Sequence, residues 1–156
     1  MTNGPIERSF GARRILVTGG AGFVGAAVTR RLVDAGARVT VLDDLFTGKA
    51  DAIPTGATFI QGSVTDVDLV NELVGDNSLI LHLAARNIIA STANPLDDYA
   101  TNIGGTLNLL VAARDEKVKR FVFASSSSLY GDSETLPKVE TMSPAMAPGR
   151  CQGVSS

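Results

Sequence analysis

Val17-Thr18-Gly19-Gly20-Ala21-Gly22-Phe23-Val24-Gly25 joins a short apolar run, Ile15-Leu16-Val17, to a stretch with helical periodicity. Gly20-x-Gly22-x-x-Gly25 satisfies the spacing of a dinucleotide-binding turn, and Gly19-x-x-Gly22-x-x-Gly25 satisfies its wider variant. The first glycine permits a tight turn, the middle one lets the backbone approach a pyrophosphate, and the last lets helix pack closely on strand. The helix N-terminus adds unpaired N–H groups and the positive end of the helix dipole. A second apolar run, Val39-Thr40-Val41-Leu42, ends in Asp43-Asp44, and Asp43 lies 18 residues beyond Gly25. That offset suits an acid accepting from the hydroxyls of an adenosine ribose, and its charge repels a 2′-phosphate, favouring NAD over NADP. Without this context the glycines would read as an ordinary tight turn, and Asp43 and Asp44 as a solvated loop pair.

Two more runs, Leu79-Ile80-Leu81-His82-Leu83 and Phe121-Val122-Phe123, have the same character, and Thr58-Phe59-Ile60 is a weaker one. Short, branched and nearly uncharged, they read as strands of a parallel sheet covered on both faces. Helical periodicity fills the gaps. Phe23, Ala26, Ala27, Arg30, Arg31 and Val33 lead to Gly36 as a C-cap, and Asp66 to Val74 forms a short helix. Asn94 caps a long helix with Pro95 at its first position, and Leu96, Tyr99, Ala100, Ile103, Leu107, Leu110 and Val111 are expected to form its buried stripe. Strand and helix in alternation mean right-handed βαβ units and an open α/β sheet. The expected fold is a Rossmann-type doubly wound parallel sheet, incomplete at about five strands, in the order 3-2-1-4-5. Residues 1–12 are expected to be a flexible lead-in, 13–136 the dinucleotide-binding domain, and 137–156 an irregular tail without a substrate domain.

Composition narrows the function. The 156 residues are 44% hydrophobic and 19% charged, with a net charge of −2, which excludes a disordered tail, a collagen-like repeat and a disulfide scaffold. The mild acidity argues against nucleic acid as a partner. No apolar run approaches the ~18 residues of a membrane span. A single cysteine, Cys151, cannot form an internal disulfide and fits a reducing cytoplasm. With one histidine and one cysteine in the chain, no metal site is expected. His82, in an apolar strand, reads as a satisfied core histidine rather than a base or ligand.

These motifs are joined by His82-Leu83-Ala84-Ala85, by Asn102-Ile103-Gly104-Gly105-Thr106 and by Ala124-Ser125-Ser126-Ser127-Ser128-Leu129-Tyr130-Gly131. In that order and spacing, from about Arg13 to Glu140, the chain resembles the extended short-chain dehydrogenase/reductase family. Its members are the NAD-dependent sugar-nucleotide epimerases and dehydratases, and the UDP-glucose 4-epimerase branch is the nearest likeness. The resemblance implies NAD as cofactor and a nucleotide sugar as substrate of the full-length relatives. It places Gly19, Gly22, Gly25, Phe23 and Val24 around the pyrophosphate, and Asp43 and Asp44 at the adenosine ribose. Leu83, Ala84 and Ala85 would line the groove, Asn102 would face the site from the long helix, and Ser126 would be the catalytic hydroxyl on the sugar oxygen. Ser127 and Ser128 would face substrate. Where the family often has an aspartate reading the adenine amino group, this chain has Ser63, a weaker partner.

The family's chemistry also requires a Tyr-x-x-x-Lys pair, the tyrosine as proton donor and acceptor and the lysine lowering its pKa. Ile103 stands four residues after Tyr99, and Glu134 four after Tyr130. The pair is absent, and the stretch from Ala145 to Ser156 carries no family likeness or helical period, as if a coding frame were lost or a segment replaced. The expectation is therefore an NAD-binding N-terminal portion without catalysis, with an uncovered strand-five edge open to self-association. The alternatives are a non-catalytic nucleotide-sensing or interaction module and an active UDP-sugar 4-epimerase.

Overall fold

Three consecutive residues of the first strand, Ile15, Leu16 and Val17, have no exposed surface at all, which requires cover on both sides of the sheet. In the computed structural model, which describes residues 9–131 and 136–142, that strand is the centre of the fold. Five parallel strands, β1 (Arg14–Thr18), β2 (Arg38–Asp43), β3 (Thr58–Gln61), β4 (Leu79–His82) and β5 (Arg120–Phe123), lie in the order β3-β2-β1-β4-β5. This is the expected doubly wound topology. The register pairs Val17 with Val41 on one side and with Leu81 on the other. Side chains alternate between two cores. Leu16, Leu42, Val70, Val74, Ile80 and Leu109 fill one face, and Ile15, Val17, Leu32, Val39, Val41 and Leu79 fill the other.

The helices are α1 (Phe23–Asp34), α2 (Val67–Gly75), α3 (Ile88–Ala93), α4 (Pro95–Asp98) and α5 (Thr106–Asp115), with a π-helical segment, Tyr99–Gly105, joining α4 to α5. Asp66 caps α2 by accepting from the Leu69 N–H at 3.1 Å, and Gly36 leaves α1 at φ +80°, a left-handed value that a side chain would oppose. Phe10, ahead of β1, packs against the Ile15 face. The described residues fall into two units divided between Phe123 and Ala124; the second carries the 3₁₀ turn Ser127–Tyr130 and no other helix or strand among its described residues.

One expectation is overturned. The stripe read as buried on the long helix faces outward: Leu96 is 80% exposed, and Tyr99, Ile103, Leu107, Leu110 and Val111 are exposed as well. The buried line is instead Thr101, Gly105, Leu109, Ala112 and Ala113. Two physical reasons combine. The wider π turn resets the phase of the helix part-way along its length. The sheet side also demands small residues, since a Cβ on Gly105 would fall 2.3 Å from Val64 Cγ2. Accordingly, Leu109→Ala should lower stability in urea unfolding by about 3 kcal/mol. Leu107→Ala, part of the apolar pattern yet exposed, should stay within about 0.5 kcal/mol of the parent.

Candidate functional site

The C-terminal ends of β1, β2 and β4 open into a cleft. Gly19 turns the chain away from β1 at φ +70°, donating its N–H to Leu42 O at 2.9 Å, and a Cβ there would lie 2.6 Å from Ala84 N. Gly25 lies under the turn, where a Cβ would sit 2.0 Å from Gly19 O, so α1 can approach β1 only without a side chain at that position. Gly22 is the N-cap of α1 and has no side chain to satisfy the first-turn N–H groups. The first turn of α1 also carries no acidic residue, leaving it suited to an anion.

Of the residues expected at the cofactor, Gly19, Gly22, Asp43, Asp44, Ser63, Leu83, Ala84 and Ala85 all line this one cleft. Asp43 is largely buried, and its carboxylate accepts from the Ala21 N–H at 2.9 Å and the Leu45 N–H at 2.8 Å. A carboxylate has about four lone-pair sites, so both oxygens keep capacity for ribose hydroxyls. Phe23 and Val24 stand at the start of α1 with exposed side chains and are not part of the lining. Asn102 also lies outside the lining and acts as a clasp. Its Oδ1 accepts from the Arg86 N–H at 2.7 Å, and its Nδ2 donates to Arg86 O at 3.1 Å and to Asp98. Ser126, Ser127 and Ser128 belong to the second unit. There the Ser126 hydroxyl caps the 3₁₀ turn, accepting from the Ser128 N–H at 3.1 Å, while the side chain of Ser127 lies outside the described residues.

Arg86 is a residue the sequence pattern did not single out. Its guanidinium donates to Asp44 at 2.8 Å and to Asp97 at 2.6 Å, and it stacks 4.1 Å from the centre of the Phe46 ring. Burial pulls its pKa down, but the hydrogen bonds and charges of Asp44 and Asp97 outweigh this and leave it raised. The result is a clamp at the cleft rim joining the segments after β2 and β4. No short-range pattern signals it, because Asp44 and Arg86 are 42 residues apart.

Behind the cleft, His82 has both ring nitrogens engaged, Nδ1 with Thr18 Oγ1 at 2.7 Å and Nε2 with Thr106 Oγ1 at 2.9 Å. Thr106 donates to Asn102 O at 2.6 Å, so its oxygen accepts from His82 Nε2–H; Thr18 then donates to Nδ1 while accepting from the Ala84 N–H at 3.3 Å. One neutral tautomer satisfies every member of this chain. Burial lowers the His82 pKa to about 4, which makes it the core histidine expected from its apolar strand. Among the described residues, no three His, Cys, Asp or Glu side chains are placed to hold a metal, and no helix is long and apolar enough to cross a membrane.

A model of the NAD-dependent epimerase/dehydratase family matches residues 15–151. The chain belongs to this family. The match runs past Glu140, so much of the stretch read above as lacking any likeness lies inside it. A UDP-glucose 4-epimerase of Streptomyces lividans is 41% identical over 132 residues, covering 82% of this chain and 40% of that protein. A UDP-glucose 4-epimerase of Klebsiella pneumoniae is 35% identical, covering 82% of this chain and 99% of that sequence. Among solved structures, the UDP-glucose 4-epimerase of Thermus thermophilus in complex with NAD superimposes with a TM-score of 0.76 at 36% identity, covering 85% of this chain and 44% of that one. The chain spans about 40% of the length of the first curated relatives it matches.

The neutral state of His82 has a pH consequence. In the unfolded chain histidine takes up a proton near pH 6.5, whereas in the folded protein it does so only near pH 4. Stability is therefore lost as pH falls from about 6.5 to 4, by up to about 3 kcal/mol from this residue. Urea unfolding at pH 7.0 and 4.5 should show a clearly smaller pH-dependent loss in His82→Gln than in the parent, above the loss common to both from carboxylates.

Proposed function

We propose that this chain binds NAD in the cleft at the ends of β1, β2 and β4, as the cofactor-binding portion of a sugar-nucleotide epimerase or dehydratase, and does not turn over substrate by itself. The observation that carries this reading is the convergence, on one cleft, of a side-chain-free turn, an uncapped helix N-terminus and a buried acid at the end of β2. The residues present fit a dinucleotide. Gly19 and Gly22 leave backbone open to the pyrophosphate, Asp43 takes the adenosine ribose, and Ser63 and Leu83 to Ala85 form the walls. Bound there, NAD supplies hydride transfer to and from a sugar carbon. Ser126 would hydrogen-bond the sugar oxygen, with Ser127 and Ser128 facing the nucleotide sugar. No tyrosine in the chain has a lysine four residues on, so the proton transfer at that oxygen has no matched donor and acceptor, a deficit of roughly 10²–10⁴-fold in rate. A cytoplasmic location belongs to the same reading and rests on the single cysteine, Cys151.

Calorimetric titration with NAD should give saturable binding, and the protein alone should not interconvert UDP-glucose and UDP-galactose. Gly22 separates folding from binding: its φ is −76°, and an added Cβ meets only Gly19 O at 3.3 Å. Gly22→Ala should keep a near-parental melting temperature while weakening NAD by about tenfold, ~1.4 kcal/mol. Folded protein with no heat of binding would overturn the reading. We also include self-association through β5, which ends the sheet order and leaves Val122 and Phe123 exposed. Sedimentation should show concentration-dependent oligomers that Val122→Lys disperses, and a strictly monomeric parent rejects this part.

A further inference from the structure

At the end of the sheet opposite the cleft, where β1, β4 and β5 begin, the fold encloses a second cavity of about 260 Å³. Three cations line it, Arg13, Lys119 and Arg120, and none of its lining residues is acidic. None of the three forms an ion pair among the described residues. The chain as a whole carries a net charge of −2, so this concavity runs against the average of the molecule. Like charges gathered around one concavity repel each other and focus a positive field into it, which a bound anion relieves. Helix ends share this end of a parallel α/β fold, and cations there can serve their negative dipole ends. Arg31 in the last turn of α1 and Arg114 in that of α5 already do so. Arg13, Lys119 and Arg120 belong to no helix.

The backbone beneath them is fixed. Ser78 donates to Arg14 O twice, from its N–H at 3.0 Å and from its hydroxyl at 3.1 Å, and the Lys119 N–H donates to Ser78 O at 3.2 Å. Ahead of β1, the Arg13 N–H donates to Phe10 O at 3.1 Å and the Ala12 N–H to Gly36 O at 2.8 Å, which folds this turn over the start of the strand. Leu79, in register with both Ile15 and Arg120, and the half-buried Phe10 supply the apolar part of the lining. With the Ser78 hydroxyl proton committed to Arg14 O, the side-chain donors left by Arg13, Lys119 and Arg120 call for a group rich in acceptor oxygens. Guanidinium forks match phosphate oxygens two at a time, and an ammonium adds a compact point charge. The volume of about 260 Å³ falls below the roughly 300–1,000 Å³ of pockets for drug-sized ligands, which suits a compact anion better than a nucleotide.

We propose that this cavity binds a compact phosphate-bearing anion, with Arg13 and Arg120 forked on its oxygens and Lys119 adding its charge. The length of β1 separates this site from the dinucleotide cleft, and the assignment does not depend on NAD binding there.

The test is an NMR titration of the isotope-labelled chain with pyrophosphate, at an ionic strength held constant with KCl. Saturable shifts are expected at the amides of Ser78, Leu79, Lys119 and Arg120. The exposed pair Arg13→Gln and Arg120→Gln, combined, should keep the parental melting temperature without ligand and bind at these amides at least about tenfold more weakly. Lys119→Gln alone should weaken the same shifts by a smaller factor, and it carries the comparison if the double variant melts lower. Shifts at Gly19 to Phe23 report pyrophosphate at the start of α1 and should be the same in parent and variants. Pyrophosphate shifts confined to Gly19 to Phe23, parental affinity at the Ser78 amide in folded variants, or equal shifts from KCl alone would overturn the assignment. So would attachment to phosphatidic acid vesicles without any response to free pyrophosphate.

Discussion

A carbonyl oxygen 2.0 Å from where a Cβ on Gly25 would stand sets the geometry of the whole N-terminal half of the fold. It fixes how near α1 can come to β1, and the same turn pushes Gly19 against the backbone of Ala84 beyond β4. The turn is held on both sides, by the Gly19 N–H on Leu42 O of β2 and by the Leu83 N–H on Thr18 O of β1. The cleft is thus a product of close packing: removing side chains from the crossing point lets three strand ends meet, and what remains facing outward is backbone N–H. A helix start suited to an anion and a tight βα junction arise here from the same glycine turn.

The polar chain behind that junction extends the constraint to the far side of the cleft. Ala84 N–H, Thr18, His82, Thr106 and Asn102 form one hydrogen-bonded series, and Asn102 ends it by gripping Arg86 from both backbone directions. With every member paired, burial strengthens the series instead of penalising it. Arg86 then carries the order out to the rim through Asp44, Asp97 and the Phe46 ring. A neutral His82 is what allows this, since a protonated ring would need a second acceptor that neither threonine offers without giving up its own bond.

Short-range patterns made most of this legible. Strand runs, the glycine spacing, the Asn94–Pro95 helix start and the sheet order all depend on residues close in sequence or on general rules of chain connection, and the structure agrees with them. Periodicity failed on the long helix because it assumes an unbroken 3.6-residue turn, and the π segment breaks that assumption between Tyr99 and Gly105. It also assumes that the largest apolar residues face inward, whereas at the Val64 contact the inward position has no room for a side chain and is Gly105. Asn102 illustrates a different limit: its motif pointed to the site, but only its partners reveal that it braces the cleft wall through the Arg86 backbone. Arg86 carries no local signal, since it gains its meaning from residues that only the fold brings alongside.

The lining of the cleft runs from Gly19 to Thr101 and lies wholly within the first unit, whereas the serines assigned to the sugar lie after Phe123 in the second. On the proposed reading, cofactor grip and substrate chemistry would therefore come from different stretches of chain. The cleft itself is held by the packing of the doubly wound sheet, through the glycine turn, Asp43 and the His82 series. Catalysis asks for something packing does not provide: a tyrosine and lysine held one helical turn apart at a specific atom. Nothing in the packing of the cleft calls on that pair, so on the proposed reading NAD binding and turnover would be separable.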